Sequence, residues 1–190
     1  HIITDFYHCS ERLAQCAKII EGEGAQHKRQ RQKLFYRLRA WLWAGEVDKA
    51  IDLFRKAIDR NPTADILPPL KFQLAQAMRL RARLGEAIEV LKDFEKDFPE
   101  HGLLPNVLYT LAIAGHDQGT GDDDRGKLLE SVAIYRKLIE RFPGRPAAIE
   151  AHFEMGLVLS ELGRRSEAAD YFSKYVSMNP GSPVAAAALE

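Results

Sequence analysis

Prolines divide this chain at regular intervals, and their placement limits the folds it can adopt to a row of helices. Proline lacks an amide donor and clashes with the preceding turn, so it ends a helix. One series follows runs of helical periodicity at intervals of 37, 44 and 37 residues: Pro62, Pro99, Pro143 and Pro180. In the first turn of a helix the missing donor costs nothing. A second series stands at such positions: Pro68, Pro69, Pro105, Pro146 and Pro183. The two series account for all nine prolines, which predicts a helical repeat.

The segment before Pro180 indicates how each unit packs. Gly156 and Ala168 are small residues where two helix backbones can approach closely, and Phe172 fills the space between the helices. Gly163 follows LSEL, where a helix commonly ends in a left-handed residue. This spacing resembles the helix–turn–helix unit of the tetratricopeptide repeat (TPR) family. One hairpin cannot bury its apolar face alone, so copies must stack. The resemblance implies an all-α fold, a right-handed α-α superhelix (solenoid) of about four hairpins plus an N-terminal helix.

The proline alignment predicts the boundaries of the array. Residues 1–26 are expected to form an N-terminal capping helix or half-repeat, and 27–190 the TPR-like array. The repeats are predicted at about 31–62, 68–99, 105–143 and 149–180, followed by the start of a further helix.

Two repeats depart from the pattern. In the second, helices are predicted near 68–82 and 84–97, with Ala82 in place of the usual glycine of the turn. The third is seven residues longer than its neighbours, and its first helix is expected to end near Gly115. We therefore predict a loop insertion at 116–126.

A candidate partner-binding groove follows from the repeat alignment. The family resemblance implies that the first helix of each repeat lines a concave face. One position on that helix is aromatic in every repeat, and positions four and seven residues later share its side. An aromatic row with interspersed arginine is typical of a binding surface, although these rings also pack between helices in TPR units. The predicted groove consists of Phe35, Arg39, Trp43, Phe72, Gln76, Arg79, Tyr109 and Phe153.

Charge is distributed unevenly over the first helices. Those of the first two repeats contain basic residues and no acid, whereas that of the fourth carries Glu150, Glu154 and Glu161. Such a gradient would orient a ligand with its acidic part at the N-terminal half. It would equally favour head-to-tail contact between protomers.

Composition argues against several other classes of function. The chain has 27 basic and 27 acidic residues, so a nucleic-acid partner is not indicated, and no apolar run is long enough to span a bilayer. The basic run His27–Arg39 would touch phosphates or form a solvated face. The acidic loop Asp117–Asp124 lacks the ligand spacing of a calcium-binding loop. Its aspartates are expected to be solvated and to stabilise the positive end of a helix dipole, with cation binding as the alternative.

Catalytic and metal sites are not predicted. The six histidines have no zinc spacing, and His152 is expected to be a packed helix residue. Cys9 and Cys16 are interpreted as core residues, or as a redox or metal pair with His8. We expect no catalytic residue, metal or cofactor.

The predicted function is therefore that of a non-catalytic module that binds a peptide or partner helix in its concave groove. The alternatives are a scaffold that self-assembles end to end, and a docking or regulatory segment of a larger enzyme. The chain starts at His1 and ends in the opening of another helix, PVAAAALE, so we expect it to be part of a larger bacterial protein. Phrases such as YRKLIERFPGRPAAIEAHFEMG are similar to TPR proteins of the bacterial cell envelope, which slightly favours a periplasmic or envelope location over the cytoplasm.

Overall fold

The structure, a computed structural model, describes residues 47–60 and 67–180, and in these ranges it contains helices and no strand. The chain divides into two compact units after Leu91. The N-terminal unit contains α1 (Val47–Asp59), α2 (Leu67–Leu80) and α3 (Leu84–Leu91). The C-terminal unit contains α4 (Phe94–Asp97), α5 (Leu104–Gly121), α6 (Arg125–Arg141), α7 (Pro146–Glu161) and α8 (Arg165–Met178). The all-helical prediction is confirmed for these ranges.

Several predictions concern residues outside the described ranges. They are the N-terminal helix within 1–26, the basic run His27–Arg39, the first helix of the first repeat and the helix after Pro183.

The prolines that fall within the described ranges lie where the sequence predicts them, whereas Pro62 and Pro183 lie outside those ranges. Pro146 is the first residue of α7, and Pro105 is the second residue of α5. Pro68 and Pro69 occupy the first turn of α2. Prolines also stand two residues beyond the ends of α4, α6 and α8, at Pro99, Pro143 and Pro180. The prolines thus mark helix starts and ends, as their backbone chemistry requires.

Each of the three hairpin turns that the structure describes contains one left-handed residue. These residues are Ala82 (φ +55°), Asp123 (φ +52°) and Gly163 (φ +78°). In each turn the amide of the next residue donates to the carbonyl five residues earlier, which satisfies a carbonyl at the helix end. The pairs are Arg83 N with Met78 O (2.9 Å), Asp124 N with Gly119 O (2.7 Å) and Arg164 N with Leu159 O (2.8 Å).

The predicted loop at 116–126 is wrong. Helix α5 continues to Gly121, a three-residue turn follows, and α6 begins at Arg125. The glycines that suggested a loop lie inside the helix, and one of them has a packing role. A Cβ on Gly119 would lie 2.8 Å from Cδ2 and 3.1 Å from the backbone N of Leu128. Gly119 therefore allows α5 and α6 to approach closely at their tip.

The seven extra residues lengthen the helices of this hairpin. From the aromatic position to the left-handed residue there are 14 positions in the third repeat (Tyr109 to Asp123) and 10 in the fourth (Phe153 to Gly163). The first helix thus gains four residues, and the second gains the other three. Each gain is about one helical turn of 3.6 residues, so both helices keep the same faces towards the core. We call the added residues, 118–121 and 125–127, the overhang.

The helix predicted near 84–97 is interrupted at the exposed residues Lys92 and Asp93. Its two parts have different neighbours, because α3 contacts α2 whereas α4 contacts α5. Phe94 of α4 packs against the rings of Phe98 and His101, with centroids 5.1 and 5.9 Å apart. The break coincides with the division between the two units.

The predicted close contact in the fourth repeat is confirmed. A Cβ on Gly156 would lie 2.5 to 2.7 Å from three ring atoms of Phe172. No side chain tolerates that distance, so glycine sets the separation of α7 and α8. Gly156, Ala168 and Leu159 are buried, as the packing of two close helices requires.

Candidate functional site

The exposed sides of α5 and α7 form one face of the C-terminal unit. These helices contact each other, and each carries a row of half-buried and exposed residues at spacings of three and four, along one side. The α5 row consists of Asn106, Tyr109, Ile113, Asp117 and Thr120, and the α7 row of Glu150, Phe153, Glu154, Leu157 and Glu161. We call these ten residues the α5–α7 face.

The α5–α7 face combines acidic and apolar side chains. Neither helix contains a single Lys or Arg, and four of the ten residues are Asp or Glu. Two aromatic rings, two aliphatic side chains and the polar Asn106 and Thr120 complete the rows, and Leu157 is 36% exposed. Because the whole chain has a net charge of zero, this negative surface is a local property of the two helices.

Contacts across the helices fix the acidic side chains. The Tyr109 hydroxyl lies 3.5 Å from Glu154 Oε1, a long hydrogen bond. The Glu161 carboxylate accepts two shorter bonds, from His116 Nε2 at 2.9 Å and from Thr120 Oγ1 at 2.8 Å. Both rows are therefore held in one surface.

The Glu154 carboxylate lies in an environment that disfavours its charge. Burial raises the pKa of Glu154 above its ordinary value, and the charges of Asp117 and Glu150 act in the same direction. His116 and the hydrogen bond from Tyr109 oppose them without cancelling the effect. A carboxyl with a raised pKa in a partly exposed site marks a candidate functional position.

Glu161 has the opposite character. Burial by itself would raise its pKa, but the hydrogen bonds from His116 and Thr120 together outweigh that effect, and the pKa of Glu161 lies below its ordinary value. Arg125, in the overhang, also donates to the Leu162 carbonyl at 3.3 Å. The long third hairpin thus holds the C-terminal end of α7 from two sides.

The predicted groove residues of the C-terminal unit are both half-buried and both lie on the α5–α7 face. Tyr109 contacts the ring of Tyr135, with centroids 6.3 Å apart. Phe153 contacts Phe172 and Tyr175, at 5.6 and 5.3 Å. One side of each ring is therefore packed, and part of each remains accessible.

In the N-terminal unit, Phe72 does not offer a ring to a ligand. It is 4% exposed, because α2 packs against both α1 and α3 and is apolar on most of its circumference. Gln76 and Arg79 on the same helix are half-buried. The remaining predicted groove residues, Phe35, Arg39 and Trp43, lie outside the described residues.

The acidic segment before α6 has a structural role. Asp124 Oδ1 accepts hydrogen bonds from the amides of Gly126 (2.9 Å) and Lys127 (3.2 Å), which caps the helix. Asp122 pairs with Lys127 Nζ at 2.5 Å. Within 47–60 and 67–180, no three His, Cys, Asp or Glu side chains are grouped to hold a metal ion.

His152 is a packed helix residue, as predicted. It is 7% exposed, and its Nδ1 lies 2.9 Å from the Ala148 carbonyl oxygen. Burial lowers the pKa of His152 below its ordinary value, so the neutral ring donates this bond.

The helices that the structure describes include none with the length and apolarity needed to cross a membrane.

The chain was compared with protein families and with curated proteins. Residues 105–183 match a family model described as tetratricopeptide repeat. No curated protein matches the chain in sequence.

Several solved structures share the fold. MamA has 18% identity and a TM-score of 0.64, with 80% of each chain covered. YrrB, described as a TPR protein with an unusual peptide-binding site, has 15% identity and a TM-score of 0.62, with 82% of this chain and 73% of YrrB covered. TTC0263, a TPR protein of Thermus thermophilus, has 22% identity and a TM-score of 0.61, with 80% and 76% covered. The chain therefore has the fold of TPR solenoid proteins, and residues 105–183 match the tetratricopeptide repeat family itself.

Proposed function

We propose that this protein is a non-catalytic interaction module that binds a peptide or a helix of a partner protein on the α5–α7 face. The TPR fold supports the class of function, because proteins of this fold include a described peptide-binding example. The fold alone hosts many roles, so the proposal rests on the side chains of the face.

The observation that carries the proposal is an accessible apolar centre surrounded by acidic side chains. Leu157 is 36% exposed, beside the half-buried Phe153, Ile113 and Tyr109. Ring and aliphatic surface at the centre with a polar rim is the usual anatomy of a protein interface. A ligand that covers Leu157 would bury this surface and leave the carboxylates at its edge.

A random-peptide display selection on the whole chain tests the site, with Leu157→Asn as the test variant and Leu129→Asn as its matched control. Leu129 is 46% exposed on the outer side of α6, so both variants remove a similar exposed leucine from a helix. We expect selected peptides to bind Leu157→Asn at least about fivefold more weakly, the effect of losing one central contact, and Leu129→Asn unchanged. Equal losses in both variants, or a loss only in Leu129→Asn, would contradict the proposal.

End-to-end self-assembly is the second candidate, because charge differs between the first helices of the hairpins. Helix α2 carries Lys71 and Arg79 and no acid, whereas α5 and α7 carry acids and no Lys or Arg. Sedimentation velocity over a hundredfold range of protein concentration tests this candidate. A single monomer species throughout would exclude it, and salt-sensitive growth in mass would support it.

The envelope location stays a prediction from the sequence resemblance, and fractionation of the source cells tests it.

A further inference from the structure

We infer that the ligand of the α5–α7 face is a cationic amphipathic segment of another protein, which places a Lys or Arg beside Glu154 and aliphatic side chains over Ile113 and Leu157. This inference rests on the proposed function and specifies the chemistry of the partner.

The first argument is the one-sided charge of the face. The helices α5 and α7 together carry Asp117, Glu150, Glu154 and Glu161 and no Lys or Arg. Complementary charge steers association and excludes partners of like charge. An anionic segment would meet four carboxylates there, so only a neutral or cationic ligand is compatible with the surface.

The surroundings of Glu154 favour a cationic over a neutral ligand. Its carboxylate is half-buried, and the hydrogen bond that it accepts within the described part of the chain is the 3.5 Å contact from Tyr109. Asp117 and Glu150 act on it as like charges, and the opposing charge comes from His116 on α5. Carboxylates at other surfaces have cationic partners, for example Glu95, which contacts both Lys137 and Arg141. A ligand cation would supply for Glu154 the Lys or Arg partner that α5 and α7 do not contain.

The third argument is the apolar surface beside this carboxylate. Ile113 lies on α5 four residues after Tyr109, and Leu157 lies on α7 three residues after Glu154. A cation that reaches Glu154 therefore lies next to aliphatic surface, and the stem of a Lys or Arg covers such surface well. The Tyr109 ring adds a surface over which a cation is attracted. Charge and apolar contact thus select the same amphipathic ligand.

Fluorescence anisotropy with three synthetic helical peptides of about 18 residues, the length of α5, tests the inference on the whole chain. All three have Leu along one side, and their remaining positions are Lys, Gln or Glu. We expect the Lys peptide to bind at least about tenfold more tightly than the Gln peptide, and the Glu peptide not to bind. Binding of the Lys peptide should weaken when NaCl is raised from about 50 to about 500 mM, because salt screens the pairing.

Glu154→Gln is the decisive variant, and Glu130→Gln is its matched control. Glutamine keeps the shape of the side chain and still accepts from Tyr109, so the fold is preserved, while Glu130 is exposed on α6, outside the face. We expect the Kd of the Lys peptide to rise about tenfold in Glu154→Gln and to change less than twofold in Glu130→Gln. A similar loss in both variants would show nonspecific attraction and overturn the inference.

The outcomes separate this inference from the proposed function. If the Gln or Glu peptide binds as tightly as the Lys peptide and Leu157→Asn abolishes that binding, the face is a docking site but its ligand is not cationic. If none of the three binds, the inference is overturned, and the display selection decides on the face independently. If the chain self-associates and Glu154→Gln abolishes that association, the occupant is a second copy, which also overturns the inference.

Discussion

The left-handed residues of the hairpin turns predict two opposite changes in stability. Ala82 (φ +55°) and Gly163 (φ +78°) occupy corresponding positions, and both are exposed. The left-handed conformation costs an L-residue with a side chain about 1–2 kcal/mol. Replacing alanine by glycine removes that cost but gives the unfolded chain more freedom, which opposes folding by about 0.4–1 kcal/mol. We therefore expect Ala82→Gly to stabilise the protein by about 0.5–1 kcal/mol and Gly163→Ala to destabilise it by a similar amount.

Steric contact does not contribute to this difference at Gly163. A Cβ there would meet nothing within 4 Å, so the change in free energy reports the backbone conformation alone. Gly144 provides the matched control, because a Cβ there also meets nothing within 4 Å and its φ is not positive. Gly144→Ala should leave stability unchanged or raise it slightly.

Urea unfolding followed by circular dichroism at 222 nm measures the three variants against the wild type. The reasoning is refuted if Ala82→Gly is no more stable than the wild type, or if Gly163→Ala and Gly144→Ala change the free energy of unfolding equally. In either case the positive φ would not determine the preference for glycine in these turns.

Three further predictions concern the C-terminal unit. Gly156→Ala should destabilise it by up to about 2 kcal/mol, because overpacking costs about 1–3 kcal/mol and the better helix propensity of alanine returns about 1 kcal/mol. Adding Phe172→Leu should recover part of the loss in a double-mutant cycle, and an additive result would refute the contact. Glu154→Gln should raise the thermal midpoint at pH 7, because the pKa of Glu154 is raised and its ionised form opposes folding. The gain in thermal midpoint should vanish as the pH falls towards 4.5, and a gain that persists at pH 4 would contradict this cause. The pKa of His152 is lowered, so its contribution to stability should fall as the pH drops below about 6.5. Adding His152→Phe should therefore flatten the pH dependence of the melting temperature between pH 7 and 5, measured in the Glu154→Gln background because ionisation of Glu154 changes stability with pH in the opposite direction. An unchanged slope would count against this cause.

Features determined by local chemistry could be predicted from the sequence. Proline has one backbone geometry and no donor, so its positions correctly predicted helix starts and ends in the part of the chain that the structure describes. The left-handed turn at Gly163 and the contact of Gly156 with Phe172 follow from sterics in the same way. In each case one residue type has few structural alternatives.

The loop at 116–126 could not be excluded from the sequence because glycine has two structural uses. It ends helices, and it also lets two helices approach closely, as Gly119 does beside Leu128. The length of the insertion contained the missing signal. Seven residues are about two helical turns, which is the length that keeps both helices in phase.

The candidate site was predicted in part. The aligned aromatic column contains Tyr109 and Phe153, which lie half-buried on the α5–α7 face, and also Phe72, which is buried. An alignment of repeats cannot distinguish these cases, because burial depends on the neighbours of each helix. Glu154 and the bonds from His116 to Glu161 were not predicted as a site, although the lack of Lys and Arg in both helices was visible in the sequence.

The overhang of the third hairpin implies a rule for how such arrays change length. An insertion of two or five residues in one helix would rotate everything beyond it by roughly half a turn, at about 100° per residue, and would present core side chains to water. Growth by one turn on each side of the bend avoids this rotation, and it creates a projecting tip that grips the next repeat, here through Thr120 and Arg125. Hairpin length therefore offers a way to stiffen the junction between two hairpins while α5 and α7 keep their exposed rows side by side.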